Sequence, residues 1–199
     1  MKNIFLNIHG FGSSGENSKA AALAGSFPDH KLISPDFPVD PEECLDLLEK
    51  IITENSDFPL VMQGSSMGGL YALVMHIRHN IPALLINPAL NPASLVQKRL
   101  GEVYDFGNGK TILITAQHVE KFAEVEKEIE KAIHDGFIAK GKVLALLGEQ
   151  DEVLDQTEMK KILAKLKVEV VSFETDHHFE GYDKVTKTNQ KVRDFLLGN

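Results

Sequence analysis

The stretch from Leu60 to Ile77 constrains the fold more than any other part of the chain. Leu60-Val61-Met62-Gln63 runs into Gly64-Ser65-Ser66-Met67-Gly68-Gly69, and a longer apolar segment, Leu70 to Ile77, follows. A short apolar run, a glycine-rich bend and a long apolar run read as strand, sharp turn and helix. The bend carries G-x-S-x-G with Ser66 at its centre. In that motif the serine occupies a strained turn that lifts its Oγ above the end of a sheet. The residues two before and two after it must be small, because strand and helix backbones nearly touch there. Gly64 and Gly68 meet that demand, and Gly69 is expected to add slack. Met67 then starts the helix with its N–H aimed at the reacting centre. The competing interpretation is a glycine turn with no chemistry, and the strand before and helix after weigh against it.

The rest of the chain supplies a sheet around this element. Ile4 to Ile8 reads as a strand that arrives at His9-Gly10-Phe11-Gly12-Ser13-Ser14-Gly15. An alanine-rich helix begins near Asn17, with Gly25 as its stop. Lys31 to Ser34 is a second strand, and Pro41 opens a helix capped by Asp40 that runs to about Asn55. Further strands fall at Ala83–Ile86, Val143–Leu147 and Val168–Phe173. A helix carrying Met159, Ile162, Leu163 and Leu166 lies between the last two, and a final helix carries Val185, Val192, Phe195 and Leu196. Strands alternate with helices, which predicts an α/β fold with a mostly parallel sheet and helices on both faces.

Residues 91–141 break this rhythm. They hold a short strand at Thr111–Ile114 and a charged helix from Gln117 to His134, with Val119, Phe122, Val125, Ile129 and Ile133 at helical spacing. The segment is expected to be a small cap-like insertion within one domain spanning residues 1–199. An ordinary surface helix fits the same pattern, and the segment is too short for a large lid.

A chain of 199 residues with 43% hydrophobic and 25% charged residues forms an ordinary globular core. Its net charge of −8 argues against nucleic acid or an anionic membrane as the main partner. The single cysteine, Cys44, allows no internal disulfide and shares a helical face with Leu47, Leu48 and Ile51, so burial is expected. The opening residues lack the apolar core of a secretion signal and no run reaches membrane-spanning length, so a cytoplasmic location is the expectation.

Gly10 to Gly15 also matches G-x-G-x-x-G, and Asp36 ends the next strand about 20 residues on, the dinucleotide-binding spacing. Bulky His9 and Phe11, the polar run after Gly15 and the turn around Asp36 between Pro35 and Pro38 weigh against that use. The P-loop pattern fails because Glu16 stands where lysine is needed. The same loop suits an oxyanion hole, with one N–H from Phe11 and one from Met67. The partners of Ser66 should follow in the order acid, then histidine. Asp151 follows a strand and His177 follows the last one, both at the carboxyl ends where open parallel sheets place ligands. Glu152 and Asp155 are alternatives for the acid, and His178 for the base. His9, His76, His79, His118 and His134 read as structural or solvated and offer no metal ligand set, so neither metal nor cofactor is expected.

Taken together, His9-Gly10-Phe11 with Ser13-Ser14 and Lys19, Gly64 to Gly69, Asn87-Pro88-Ala89, Asp151 to Asp155, and Asp176-His177 with Phe179 and Gly181 resemble the small bacterial YqiA-type esterases of the α/β-hydrolase superfamily. The resemblance spans nearly the whole chain. It implies an α/β-hydrolase fold with a minimal cap, and it carries the nucleophile to Ser66, the acid to Asp151 and the base to His177. The chain departs from the family at Glu174-Thr175, where a glycine usually stands shortly before the Asp/Asn-His pair. The expected activity is a serine hydrolase that cleaves short-chain carboxylic esters through an acyl-enzyme, with a small-molecule acyl ester or thioester as substrate. Acyl-CoA thioesterase is the alternative within enzymes, and a non-catalytic binding module on the same fold is the alternative outside them.

Overall fold

The computed structural model describes residues 2–105 and 111–199. The apolar runs become β1 (Ile4–Ile8), β2 (Lys31–Ile33), β3 (Leu60–Ser65) and β4 (Ala83–Ile86), then β5 (Val103–Asp105), β6 (Thr111–Leu113), β7 (Val143–Gly148) and β8 (Glu169–Phe173). Six of them form one sheet in the order β2-β1-β3-β4-β7-β8, with every pairing parallel. The inner strands are buried almost throughout, as expected where helices cover both faces. The expected strand at Thr111–Ile114 exists as β6, but it pairs antiparallel with β5 in a separate hairpin.

The helices are α1 (Ser18–Ser26), α2 (Pro41–Glu54), α3 (Met67–His79), α4 (Pro92–Gln97), α5 (Ala116–His134), α6 (Gln156–Lys165), α7 (Tyr182–Thr188) and α8 (Gln190–Leu197). Side chains start several of them. Asn17 caps α1, Asp40 caps α2 ahead of Pro41, and Asp155 caps α6. Two expectations are corrected. Gly25 lies inside α1, which ends at Phe27 just before Pro28. The final helix is two, because Asn189 closes α7 and its side chain accepts the N–H of Val192 to start α8.

One core lies between the sheet and α2, α3, α5 and α6, and contains the buried Cys44. Burial pushes that thiol well above the usual range. The other core lies against α1, α7 and α8, around Phe5, Leu23, Leu84 and Leu146. Helix α5 joins the first core through Phe122, Val125 and Ile129, each worth about 1.5–3 kcal/mol when fully buried. It is also tied to α2 by Lys121–Asp40 at 2.6 Å and to α3 by Arg78–Glu128 at 2.6 Å. Among the described residues no helix is long and apolar enough to cross a membrane.

The register decides where the carboxyl ends fall. Ile8 pairs with Gly64, Ser65 with Ile86, Ile86 with Leu146, and Gly148 with Phe173. The residues that follow β1, β3, β4, β7 and β8 therefore emerge along one edge of the sheet. The chain reverses its direction of winding between β1 and β3, which is where such sheets open a crevice.

Candidate active site

Ser66 joins β3 to α3 with φ 52° and ψ −119°, outside the regions a serine ordinarily adopts. Backbone hydrogen bonds hold it there. Its N–H donates to the Ile86 carbonyl at 2.9 Å, and its own carbonyl accepts from Gly69 and Ala89, each at 2.9 Å. The surrounding glycines are required by contact. A Cβ on Gly64 would lie 2.1 Å from the Gly68 carbonyl oxygen, and one on Gly68 would lie 2.0 Å from that of Ile8. Gly69 is not slack, as the sequence suggested, because a Cβ there would lie 2.6 Å from Pro88 Cβ.

The imidazole of His177 reaches Ser66, with Nε2 3.2 Å from Oγ. On its far side Nδ1–H donates to Asp151 Oδ2 at 2.9 Å, which leaves Nε2 as the acceptor for the serine hydroxyl. The Asp151 side chain is fully buried and that of His177 is 12% exposed, so this ion-pair geometry is almost shut off from water. Asp151 Oδ1 accepts from the N–H groups of Val153 and Leu154 at 2.9 and 3.0 Å, which fixes the carboxylate and leaves Oδ2 to the imidazole.

The alternatives have other work. Glu152 meets His177 through the backbone, accepting its N–H at 3.3 Å, and Asp155 accepts from Thr157 N–H at 2.8 Å. His178 is exposed, with its ring centroid 6.1 Å from that of His177, and its carbonyl accepts from Lys19 Nζ.

The loop after β1 packs directly on the elbow, since a Cβ on Gly10 would lie 3.2 Å from Ser66 Cβ. Phe11 and Met67 both line the narrow cleft beside it, together with His9, Phe37, Tyr71 and Phe122. Buried His9 donates from Nδ1 to the Gly10 carbonyl at 2.8 Å and accepts Phe37 N–H at Nε2 at 2.9 Å. Burial lowers its pKa below the ordinary 6.5, against the raising effects of the Gly10 bond and the Asp36 charge. The insertion contributes to this edge. Tyr104 stands edge-on to Phe11 at 4.8 Å, and Phe122 of α5 closes part of the cleft.

The remaining part of the G-x-G-x-x-G segment folds on itself. Gly15 N–H donates to Asp36 Oδ1 at 2.8 Å, and a Cβ on Gly15 would lie 2.0 Å from the Ser34 carbonyl oxygen. Gly15 precedes α1 rather than lying within it, and the acidic residue at the dinucleotide spacing is engaged by the loop. Among the described residues no group of three or more His, Cys, Asp or Glu could hold a metal ion.

One residue of the site entered the sequence reading only within the Asn87-Pro88-Ala89 resemblance and was given no role there. Asn87, just after β4, is 1% exposed and has φ 41°. Its amide bonds three backbone groups of the loops that carry Asp151 and His177. Beyond that resemblance, the signal was an asparagine at the carboxyl end of a buried strand. A buried polar chain was also missed. Tyr182 O–H donates to Gln63, Gln63 Nε2 to Asn7 Oδ1 at 2.8 Å, Asn7 Nδ2 to Ser34 Oγ at 2.9 Å, and Ser34 O–H to the Gly15 carbonyl at 2.7 Å.

The six-stranded parallel sheet, with Ser66 in the turn after β3 and Asp151 and His177 after β7 and β8, has the α/β-hydrolase fold. Est1E from Butyrivibrio proteoclasticus shares it, with a TM-score of 0.71 at 18% identity over 99% of this chain and 88% of that one. A monoacylglycerol lipase of Paleococcus ferrophilus also superposes with a TM-score of 0.71, at 15% identity over 98% of this chain and 95% of the lipase. The sequence profile of the uncharacterised protein family UPF0227 matches residues 4–196, and the chain belongs to that family. A UPF0227 protein of Shewanella loihica (strain ATCC BAA-1088 / PV-4) is 25% identical over 183 residues, 88% of this chain and 91% of the relative.

Proposed function

We propose that the protein is a serine hydrolase that cleaves short-chain carboxylic esters through an acyl-enzyme on Ser66. The observation that carries this is the hydrogen-bonded series from Asp151 through His177 (2.9 Å) to Ser66 (3.2 Å), ending on a serine held at φ 52°. His177 Nε2 takes the hydroxyl proton as Ser66 Oγ attacks the acyl carbonyl. Asp151 keeps the imidazole in the right tautomer and stabilises the imidazolium. The N–H groups of Phe11 and Met67 receive the developing oxyanion. The imidazolium gives its proton to the leaving alkoxide, which departs as the alcohol. Water, deprotonated by His177, then attacks the acyl carbon, and the imidazolium returns the proton to Ser66 Oγ as the acid is released. These steps require no metal or cofactor.

The small cleft lined by Phe11, Phe37, Met67 and Phe122 suits a short apolar acyl group. An ester substrate also agrees with the name of the monoacylglycerol lipase that shares the fold. Acyl-CoA thioesters could use the same machinery, but a net charge of −8 gives so anionic a substrate no long-range attraction. The test is hydrolysis of p-nitrophenyl esters of increasing acyl length. Activity should peak at about two to six carbons and fall beyond, because the added methylenes find no wall to pack on. A profile that rises out to the palmitoyl ester would contradict the short-chain assignment.

A further inference from the structure

The loops that carry Asp151 and His177 meet on the side chain of Asn87. Asn87 Nδ2 donates to the carbonyls of Asp176 and His177 at 3.0 and 3.1 Å, two consecutive residues of the base loop. Asn87 Oδ1 accepts the N–H of Gly148 at 2.7 Å, at the end of β7 where the acid loop begins. Both amide hydrogens and one carbonyl lone pair are thus used in a site 1% exposed, where each unmade bond is costly.

The residue type is dictated from two directions. The backbone at φ 41° admits glycine and, among other residues, asparagine most readily. The three partners need two donors and an acceptor in one plane, which aspartate, serine and glycine lack. The loops also press together around the amide. A Cβ on Gly148 would lie 2.6 Å from the carbonyl oxygens of Thr175 and Asp176 and 3.2 Å from Asn87 Nδ2. On the outer side, Lys19 Nζ from α1 donates to the next carbonyl, that of His178.

We propose that Asn87 is a positioning residue whose amide holds the base loop against the end of β7, in the register that lets His177 bridge Asp151 and Ser66. The kinetic part of its test rests on the ester-hydrolase reading above, while the spectroscopic part stands without it. A displacement of about 1 Å at the imidazole costs on the order of 100-fold in rate.

Two variants of the full chain separate the role from mere folding. Asn87→Asp keeps the shape and the accepted bond but loses both donated ones. Asn87→Gly suits the left-handed backbone and loses all three. Each is checked for folding by circular dichroism. It is then measured for kcat and KM on p-nitrophenyl acetate, and for the His177 Nδ1 proton resonance, which lies far downfield while a buried carboxylate holds that proton. In both variants kcat should fall about 100-fold with KM changed less than about threefold, and the resonance should be lost.

A folded variant with the resonance intact and kcat within about threefold of the wild type would overturn the positioning role. So would failure of both variants to fold, which would assign Asn87 to stability alone. Absence of the resonance from the wild type would remove the geometry the proposal stands on. Wild-type protein with the resonance but no ester turnover would sink the hydrolase reading instead, and the variants would still report Asn87 through the resonance.

Discussion

The two sides of Ser66 are built in different ways. On the elbow side, Gly64 and Gly68 bring β1, β3 and α3 so close that a single Cβ would sit about 2 Å from a carbonyl oxygen. Geometry there is set by backbone against backbone, and no side chain could replace it. On the acid–base side the loops after β7 and β8 also meet backbone to backbone, at Gly148 and through Glu149 N–H to Phe173 and Gln150 N–H to Thr175, and are further held by side-chain hydrogen bonds from Asn87, Glu152 and Lys19. The first kind of construction is rigid and intolerant. The second is adjustable, because each strap can be removed without forcing a clash. Mutations on the two sides should therefore fail differently, through folding on the elbow side and through turnover on the other.

The largest effect expected is on turnover. Ser66→Ala and His177→Ala should each lower kcat/KM by about 10⁴-fold or more with the fold kept, and the double variant should lose little further. His178→Ala, on the exposed neighbour, should cost about tenfold or less. Kinetics of the four folded variants check this. A large loss in His178→Ala beside a near-normal His177→Ala would reverse the assignment of the base.

Next comes stability on the elbow side. Gly68→Ala places a Cβ 2.0 Å from the Ile8 carbonyl oxygen, with no flexible side chain to yield, and should destabilise by about 3 kcal/mol or more. Gly25→Ala, inside α1 with nothing within 4 Å, should instead be neutral or stabilise by up to about 1 kcal/mol. Urea unfolding compares the two. A Gly68→Ala protein as stable as the wild type would break the contrast between the two sides.

The smallest effect is a pH dependence. Burial lowers the pKa of both His9 and His76 below 6.5. The unfolded chain then takes up protons near 6.5 that the folded chain refuses until lower pH, so unfolding binds protons and stability falls as pH drops below 6.5. The fall ends once the folded rings protonate. The urea midpoint should decline between about pH 7 and 5, and His76→Phe should make the decline shallower. A midpoint that rises over that range would contradict the burial of neutral rings. Asp40 and Glu49, whose pKa values are lowered below 3.8 and 4.5, lose their contribution at still lower pH.

The same contrast explains what could be read from the sequence. The elbow was legible because its requirements are local: two glycines around a serine, an apolar strand before and an apolar helix after. Asp151 and His177 were legible as residues at strand ends in the required order. Choosing between His177 and His178 by strand parity was impossible, since β8 ends at Phe173 and the chain bends at Glu174 before it reaches either histidine. The role of Asn87 was illegible because its partners lie 61 to 90 positions away in sequence, where no local pattern records them. Helix ends failed where a side chain decided them. Asn189 splits the last helix by capping α8, and Phe27 with Pro28, not Gly25, ends α1. The β5–β6 hairpin was half legible, because pairing with a distant partner cannot be inferred from one short apolar run.

The central claim is that Ser66 is the nucleophile, and reaction with a fluorophosphonate probe followed by peptide mapping by mass spectrometry tests it most directly. The account predicts one phosphonylated residue, Ser66, with labelling abolished in Ser66→Ala and strongly slowed in His177→Ala. Labelling of Ser65 instead, or undiminished labelling of the Ser66→Ala protein, would contradict it.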